Sequence, residues 1–274
     1  MTAEVDPVTE SAMSYVYAVS RAGTPLDEAL AGRPGLEGGP LRAVRAGELM
    51  ALVSSVPSAL YGTEGMKAQM EDLGRLEVLA RTHHAVVEAA YEHAAVLPMR
   101  LATVYLDDER VRGMLGEREP EFTALLDRLN DHVELGVKVY ADPREAVTVS
   151  SGGPETDTAA SPGRAYLQRR RAQQQNHRRT YRAAGAVASE VTARVAGIAA
   201  AHVTHRPQQG DLAQAAGENI VNDAYLVHGS QADAFRAALA GLADDTPGVR
   251  VEITGPWAPY SFATPPAPGG GGTR

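Results

Sequence analysis

The sequence predicts an α+β protein built from two tandem domains. The N-terminal one is a modified ferredoxin-like unit whose first helix is replaced by loop, and the C-terminal one is a complete ferredoxin-like β-α-β-β-α-β unit. Three observations lead there. A chain of 274 residues has room for two domains of ordinary size. Short runs of β-formers alternate with longer stretches in which apolar residues recur at helical spacing. The order strand, crossover, strand, strand, helix, strand then occurs twice along the chain.

In the first half, residues 1–13 are expected as a flexible lead-in and 14–131 as the first domain. Ser14–Ser20 is rich in β-formers and predicts a strand. The stretch GTPLDEALAGRPGLEGGP is broken by Gly and Pro, with one helical turn at Leu26–Leu30. Leu41–Arg45 and Leu49–Ser54, separated by a short turn at Gly47, predict a hairpin. From Lys67 to His93 the residues Leu73, Leu76, Leu79, His83, Val86, Val87 and Ala90 form one apolar stripe, which predicts a single long helix. Met99–Tyr105 predicts the fourth strand. Asp107–Leu115 and Pro120–Asn130 read as two helices, with Asp107 as an N-cap and Pro120 in a first turn.

The second half, 132–262, repeats the order. Glu134–Tyr140 alternates, with Leu135, Val137 and Val139 facing inward. A polar loop, SSGGPETDTAASPG, leads into a helix expected over Arg164–Ala201. Strands at His202–Arg206 and Ile220–His228, a helix at Gln231–Leu242 and a strand at Val249–Thr254 complete the unit. Residues 263–274 are a Pro/Gly tail with a disorder signature.

Composition excludes several classes of function. There is no cysteine, which removes disulfides, thiolate catalysis and cysteine-based metal centres. The net charge of −8 argues against generic binding to nucleic acid. Lys67 and Lys138 are the only lysines, a bias of codon usage more than of function. No basic-then-apolar leader and no membrane-length apolar run is present, so a cytoplasmic protein is expected, with no membrane partner.

Candidate chemistry is sparse. His202 and His205 lie three residues apart without a carboxylate at ligand spacing, and His83 falls on the apolar stripe as a packed side chain. Asp107, Asp108 and Glu109 open a helix, where acids cap it and complement its dipole. Neither GxGxxG, GxxxxGK[ST] nor GxSxG occurs. No catalytic residue, cofactor or metal ligand is therefore assigned. The strongest charge feature is AYLQRRRAQQQNHRRTYRA, which contains Arg169, Arg170 and Arg171, with no acid between Asp157 and Glu190. A solvated helix face and an acidic protein partner are both compatible with it.

Several stretches together resemble the gas vesicle GvpF/GvpL family. They are YVYAV at 15–19, Thr82-His83-His84-Ala-Val-Val87, Ala95–Val104, Glu134–Val139, Pro162–Leu167, Asn222–Val227 and the terminal TGPWAPYSF at 254–262. Two departures stand out: Leu101-Ala102 replaces the family's more usual Phe-Gly, and Ala258 stands where a second proline is common. The length and the single terminal motif lean towards the F type. The resemblance implies a non-enzymatic accessory protein of gas vesicle formation, located in the cytoplasm and at the gas vesicle. Its expected partners are the small hydrophobic shell protein GvpA and other accessory proteins. It would limit GvpA aggregation or add GvpA to the growing wall; the alternative is a purely structural minor wall protein. Met99, Arg100, Leu101, Arg169, Arg170 and Arg171 are the partner-binding candidates. Trp257, Tyr260 and Phe262 are expected to fold back across the domain seam as an aromatic clasp, with an exposed client-binding patch as the other reading.

Overall fold

Strand β1 (Ala12–Arg21) carries a continuous apolar run rather than an alternating one, and Tyr15–Val19 are all buried. A central strand covered on both faces reads this way. In this structure, a computed structural model, residues 12–30, 32–150, 162–207 and 217–264 are described. The expected flexible ends and the polar loop therefore fall largely outside the described residues, although Ala12 and Met13 already belong to β1.

The chain forms two compact units. One comprises the sequence up to His132 together with the segment from Trp257 onward; the other is Val133–Pro256. In the first, β1 is followed by a single turn of helix α1 (Leu26–Ala29) and by the hairpin β2 (Arg42–Ala46) and β3 (Leu49–Pro57). Next come α2 (Ser58–Tyr61), α3 (Thr63–Glu71) and α4 (Leu73–Tyr91), then β4 (Leu97–Pro98), β5 (Val104–Tyr105), α5 (Asp108–Glu117) and α6 (Glu119–Leu129). The sheet order is β2-β3-β1-β4, with β5 also on β1, and β1 pairs with β3, β4 and β5, and β2 with β3, in antiparallel fashion. This is the ferredoxin-like order, with loop in place of the first crossover helix.

A bulge at Tyr17 reverses the alternation of β1, so that Ala18 rather than Val19 joins Tyr15 and Tyr17 in one core. That core packs them against Leu79, Val86, Val87 and Ala90 of α4. On the other face Ser14 donates to Asp108 of α5 at 2.6 Å, and Arg42 of β2 donates to the same carboxylate at 2.6 Å. Burial alone raises the Asp108 carboxyl, but the bonds from Ser14 and Arg42 outweigh it and hold the group below the usual carboxylate range.

Two expectations need correction here. The long helix predicted over 67–93 is two helices, because Asp72 turns extended and its side chain caps α4 by accepting from Gly74 and Arg75 at 2.9 and 3.1 Å. The strand predicted over 99–105 is two short pairings separated by a turn. Met99 still donates to Tyr17 and Val16 to Thr103, but Ala102 between them has φ +65°.

The second unit contains β6 (His132–Ala141), α7 (Pro143–Ser150), α8 (Pro162–Val195), β7 (Ala199–His205), β8 (Glu218–His228), α9 (Ala232–Leu239) and β9 (Val249–Trp257). Its order, β7-β8-β6-β9, is again ferredoxin-like. Leu135, Val137 and Val139 are fully buried as the alternation predicts. They pack on Ala184, Val187, Val191 and Val195 of α8 and on Phe235 of α9. Helix α7 was not expected, and α8 ends at Val195, six residues early, because Ala199–Ala201 already pair in β7. Strand β9 runs on through Gly255 and Pro256 to Trp257 rather than stopping at Thr254.

Candidate functional site

At the centre of the first unit lies a polar network inside an apolar core. His83 is 3% exposed. Its Nε2 lies 3.1 Å from the carbonyl of Met99, which only accepts, so Nε2 carries the proton. Nδ1 then accepts from the Tyr15 hydroxyl at 2.9 Å, and the Tyr15 oxygen accepts from the Ala102 N–H at 3.0 Å. Burial drives the His83 pKa down to about 4 and raises that of the Tyr15 hydroxyl, so both are neutral. His83 thus has two hydrogen-bond partners, not the single one a packed histidine usually keeps.

This network shapes the candidates Met99, Arg100 and Leu101. Met99 and Leu101 are half-buried, Leu101 lies against the core, and Arg100 is exposed. The turn closes through Thr103, whose N–H and hydroxyl both donate to the Arg100 carbonyl. Ala102 is held in the left-handed region, a conformation that glycine adopts more readily than alanine. Replacing it should relieve strain: Ala102→Gly is expected to raise stability by about 0.5–1 kcal/mol, read as a higher denaturation midpoint. A lower midpoint would mean that the turn is not strained.

The terminal aromatics belong to the first unit, not to the second domain in which the sequence places them. Ala258 is fully buried in the α4 core, and its N–H donates to Glu88 of α4 at 3.1 Å. A proline at this position would lack that donor. Tyr260 packs on the same core, with its ring 5.8 Å from that of His84. Phe262 is 3% exposed. Trp257, the third member of the expected clasp, is 41% exposed and meets His84 edge-on at 5.6 Å.

The sequence missed one surface. Leu36, Leu60, Tyr61, Asp72, Arg75 and Val78 line an open groove of about 600 Å³ between α2, α3 and α4. Val78 is 63% exposed, and Leu73, read from periodicity as part of the buried stripe, is 81% exposed. The break at Asp72 sets Leu73 at a helix start, off the core side.

The basic candidates lie in the second unit. Arg170 and Arg171 are exposed on α8, and the side chain of Arg169 is outside the described residues. Asp107 caps α5 by accepting from the Arg110 N–H at 2.8 Å. His202 stacks on its cross-strand partner Tyr225 at 4.8 Å and lies 3.1 Å from Asp223. Among the described residues no group of three or more His, Asp or Glu is placed to share a metal ion, and no helix is long and apolar enough to cross a membrane.

Comparison with known proteins bears on this architecture. The family model described as "Gas vesicle synthesis protein GvpL/GvpF" matches residues 13–264. Gas vesicle protein L of Streptomyces sp. (strain CB03234) is 39% identical, over 92% of this chain and 92% of its own. Gas vesicle protein F of the same strain is 30% identical, over 91% and 98%. These identities favour the L protein, whereas the sequence leaned towards the F type. The crystal structure of GvpF from Anabaena sp. PCC7120 shares the fold, with a TM-score of 0.65 over 93% of this chain and 98% of that one at 17% identity. The extent of the family match and the level of identity place this chain in the GvpL/GvpF family of gas vesicle synthesis proteins.

Proposed function

We propose that, within gas vesicle assembly, this protein binds the small hydrophobic shell protein GvpA and limits its aggregation or delivers it to the growing wall. It acts in the cytoplasm, alongside other accessory proteins, and without catalysis. The observation that supports this reading is the apolar surface that α3 and α4 leave uncovered: exposed Leu73 and Val78 beside an open groove. Large exposed aliphatic side chains bordering a concavity suit an apolar client. A subunit destined for a water-excluding wall presents such surface before it assembles. The turn at Met99, Arg100 and Leu101, held rigid from beneath by His83 and Tyr15, is the second contact.

Light scattering by GvpA diluted out of denaturant tests this. The full chain is expected to suppress the scattering, and a Leu73→Ser/Val78→Ser variant is expected to need about tenfold more protein for the same suppression. Equal suppression by both would remove the groove from the account, and no suppression by either would remove the function.

A further inference from the structure

Helix α8 carries the largest uncompensated charge among the described residues. The sequence has no Asp or Glu from Pro162 to Ser189. The helix buries one side only, through Thr180, Ala184, Val187 and Val191. Arg170, Arg171, Arg178, Arg179 and Arg182 are all exposed, and none of them has a carboxylate partner among the described residues. Several arginines elsewhere are paired. Arg42, Arg112 and Arg250 reach carboxylates at 2.6, 3.0 and 2.9 Å, and Arg194, at the far end of this same helix, pairs with Glu190 at 2.9 Å.

The spacing is as informative as the charge. Arg171, Arg178 and Arg182 are seven and four residues apart, which puts them on one line of an α-helix, facing away from Val187 and Val191. At a rise of about 1.5 Å per residue they stand about 10 and 6 Å apart along the axis. Leu167, 55% exposed and four residues before Arg171, extends the line with an apolar side chain. Like charges at i and i+4, as at Arg178 and Arg182, repel and weaken a helix that must supply its own balance. A counter-charge brought by another molecule removes that cost.

We infer that this stripe is a docking surface for an acidic helix of a protein partner, with carboxylates at the same seven- and four-residue spacing and an apolar residue opposite Leu167. Guanidinium forks take carboxylates in bidentate fashion, and a second helix repeats the 10 and 6 Å steps along its own face. Nucleic acid fits less well. The whole chain carries −8, which repels a polyanion at range, and of the two tyrosines in the arginine stretch only Tyr166 stands exposed, while Tyr181 stacks on His177 of the same helix at 4.4 Å. The surface belongs to the second unit and stands apart from the shell-protein reading of the first.

Fluorescence anisotropy on the full chain tests it with three labelled probes. One is a helical peptide with glutamates at the matching spacing and a leucine four residues before the first of them. The second is its glutamine counterpart, and the third is a thymidine oligonucleotide of equal length. The glutamate peptide is expected to bind about tenfold tighter than the glutamine peptide, with an affinity that falls as salt rises. The variant Arg171→Glu/Arg178→Glu/Arg182→Glu should lose that preference and bind a lysine version of the peptide instead. If that variant loses helix content by circular dichroism, Arg171→Gln/Arg178→Gln/Arg182→Gln replaces it and should also lose the glutamate peptide. Equal binding of the two peptides, tighter binding of the oligonucleotide, or full affinity in the substituted chain would overturn the inference.

Discussion

Replacing Phe262 with alanine is expected to lower the stability of the first unit by about 3–5 kcal/mol, the cost of emptying a buried aromatic site. Trp257→Ala should cost less, about 1–2 kcal/mol, because solvent fills the space left by a half-exposed ring. The order follows from burial: Phe262 is 3% exposed and Trp257 is 41% exposed. Ala258 and Tyr260 lie in or against the same core as Leu79, Val86 and Val87 of α4, so this segment is part of the first unit's interior. Chemical denaturation of the two single variants decides the point. A larger loss from Trp257→Ala than from Phe262→Ala would reverse this assignment.

The second large effect depends on pH. His83 has an ordinary pKa of 6.5 when unfolded and about 4 when folded. Between those values the unfolded chain binds a proton that the native one does not, so stability falls as pH falls through this window and is fully present above 6.5. The difference corresponds to about 3 kcal/mol by pH 4. Other groups titrate in the same range, so the test is a comparison. His83→Gln is less stable than the natural protein at neutral pH, and the gap should narrow by about 3 kcal/mol towards pH 4. Parallel pH profiles for the two proteins would show that His83 is not held neutral. The same burial explains why the Tyr15–His83 pair suits a rigid turn at Met99–Ala102: it stays uncharged and bonded at neutral pH.

Much of the fold was legible because one face of each element is buried against another. Leu135, Val137 and Val139 alternate because their strand has one face on α8 and α9, and such alternation survives in sequence. The hairpin at Gly47 and the cap at Asp107 are local devices and read equally well. What was missed depends on contacts far apart in sequence. The interruption of the strand at 99–103 comes from Tyr15, 87 residues before Ala102, and nothing in Met99–Tyr105 announces it. The break between α3 and α4 was hidden because Leu73, Leu76 and Leu79 keep helical spacing across a capping Asp72. Aromatic content marked 257–262 as special, but which ring is buried depends on the direction the chain takes after β9. For the candidate site, periodicity placed Leu73 in the core and so concealed the exposed surface now proposed to meet the client.

A fragment ending at Asp131 would lack Ala258, Tyr260 and Phe262 from its interior, so the client site is best tested in the intact chain. The most direct measurement is retention of freshly solubilised GvpA on the immobilised full-length protein, compared with the Leu73→Ser/Val78→Ser variant and with Arg171→Glu/Arg178→Glu/Arg182→Glu. The account predicts that the natural chain and the α8 variant retain GvpA alike while the Leu73/Val78 variant loses most of it. Retention unaffected by the Leu73/Val78 change, or abolished by the α8 change alone, would contradict the assignment of the shell protein to the first unit.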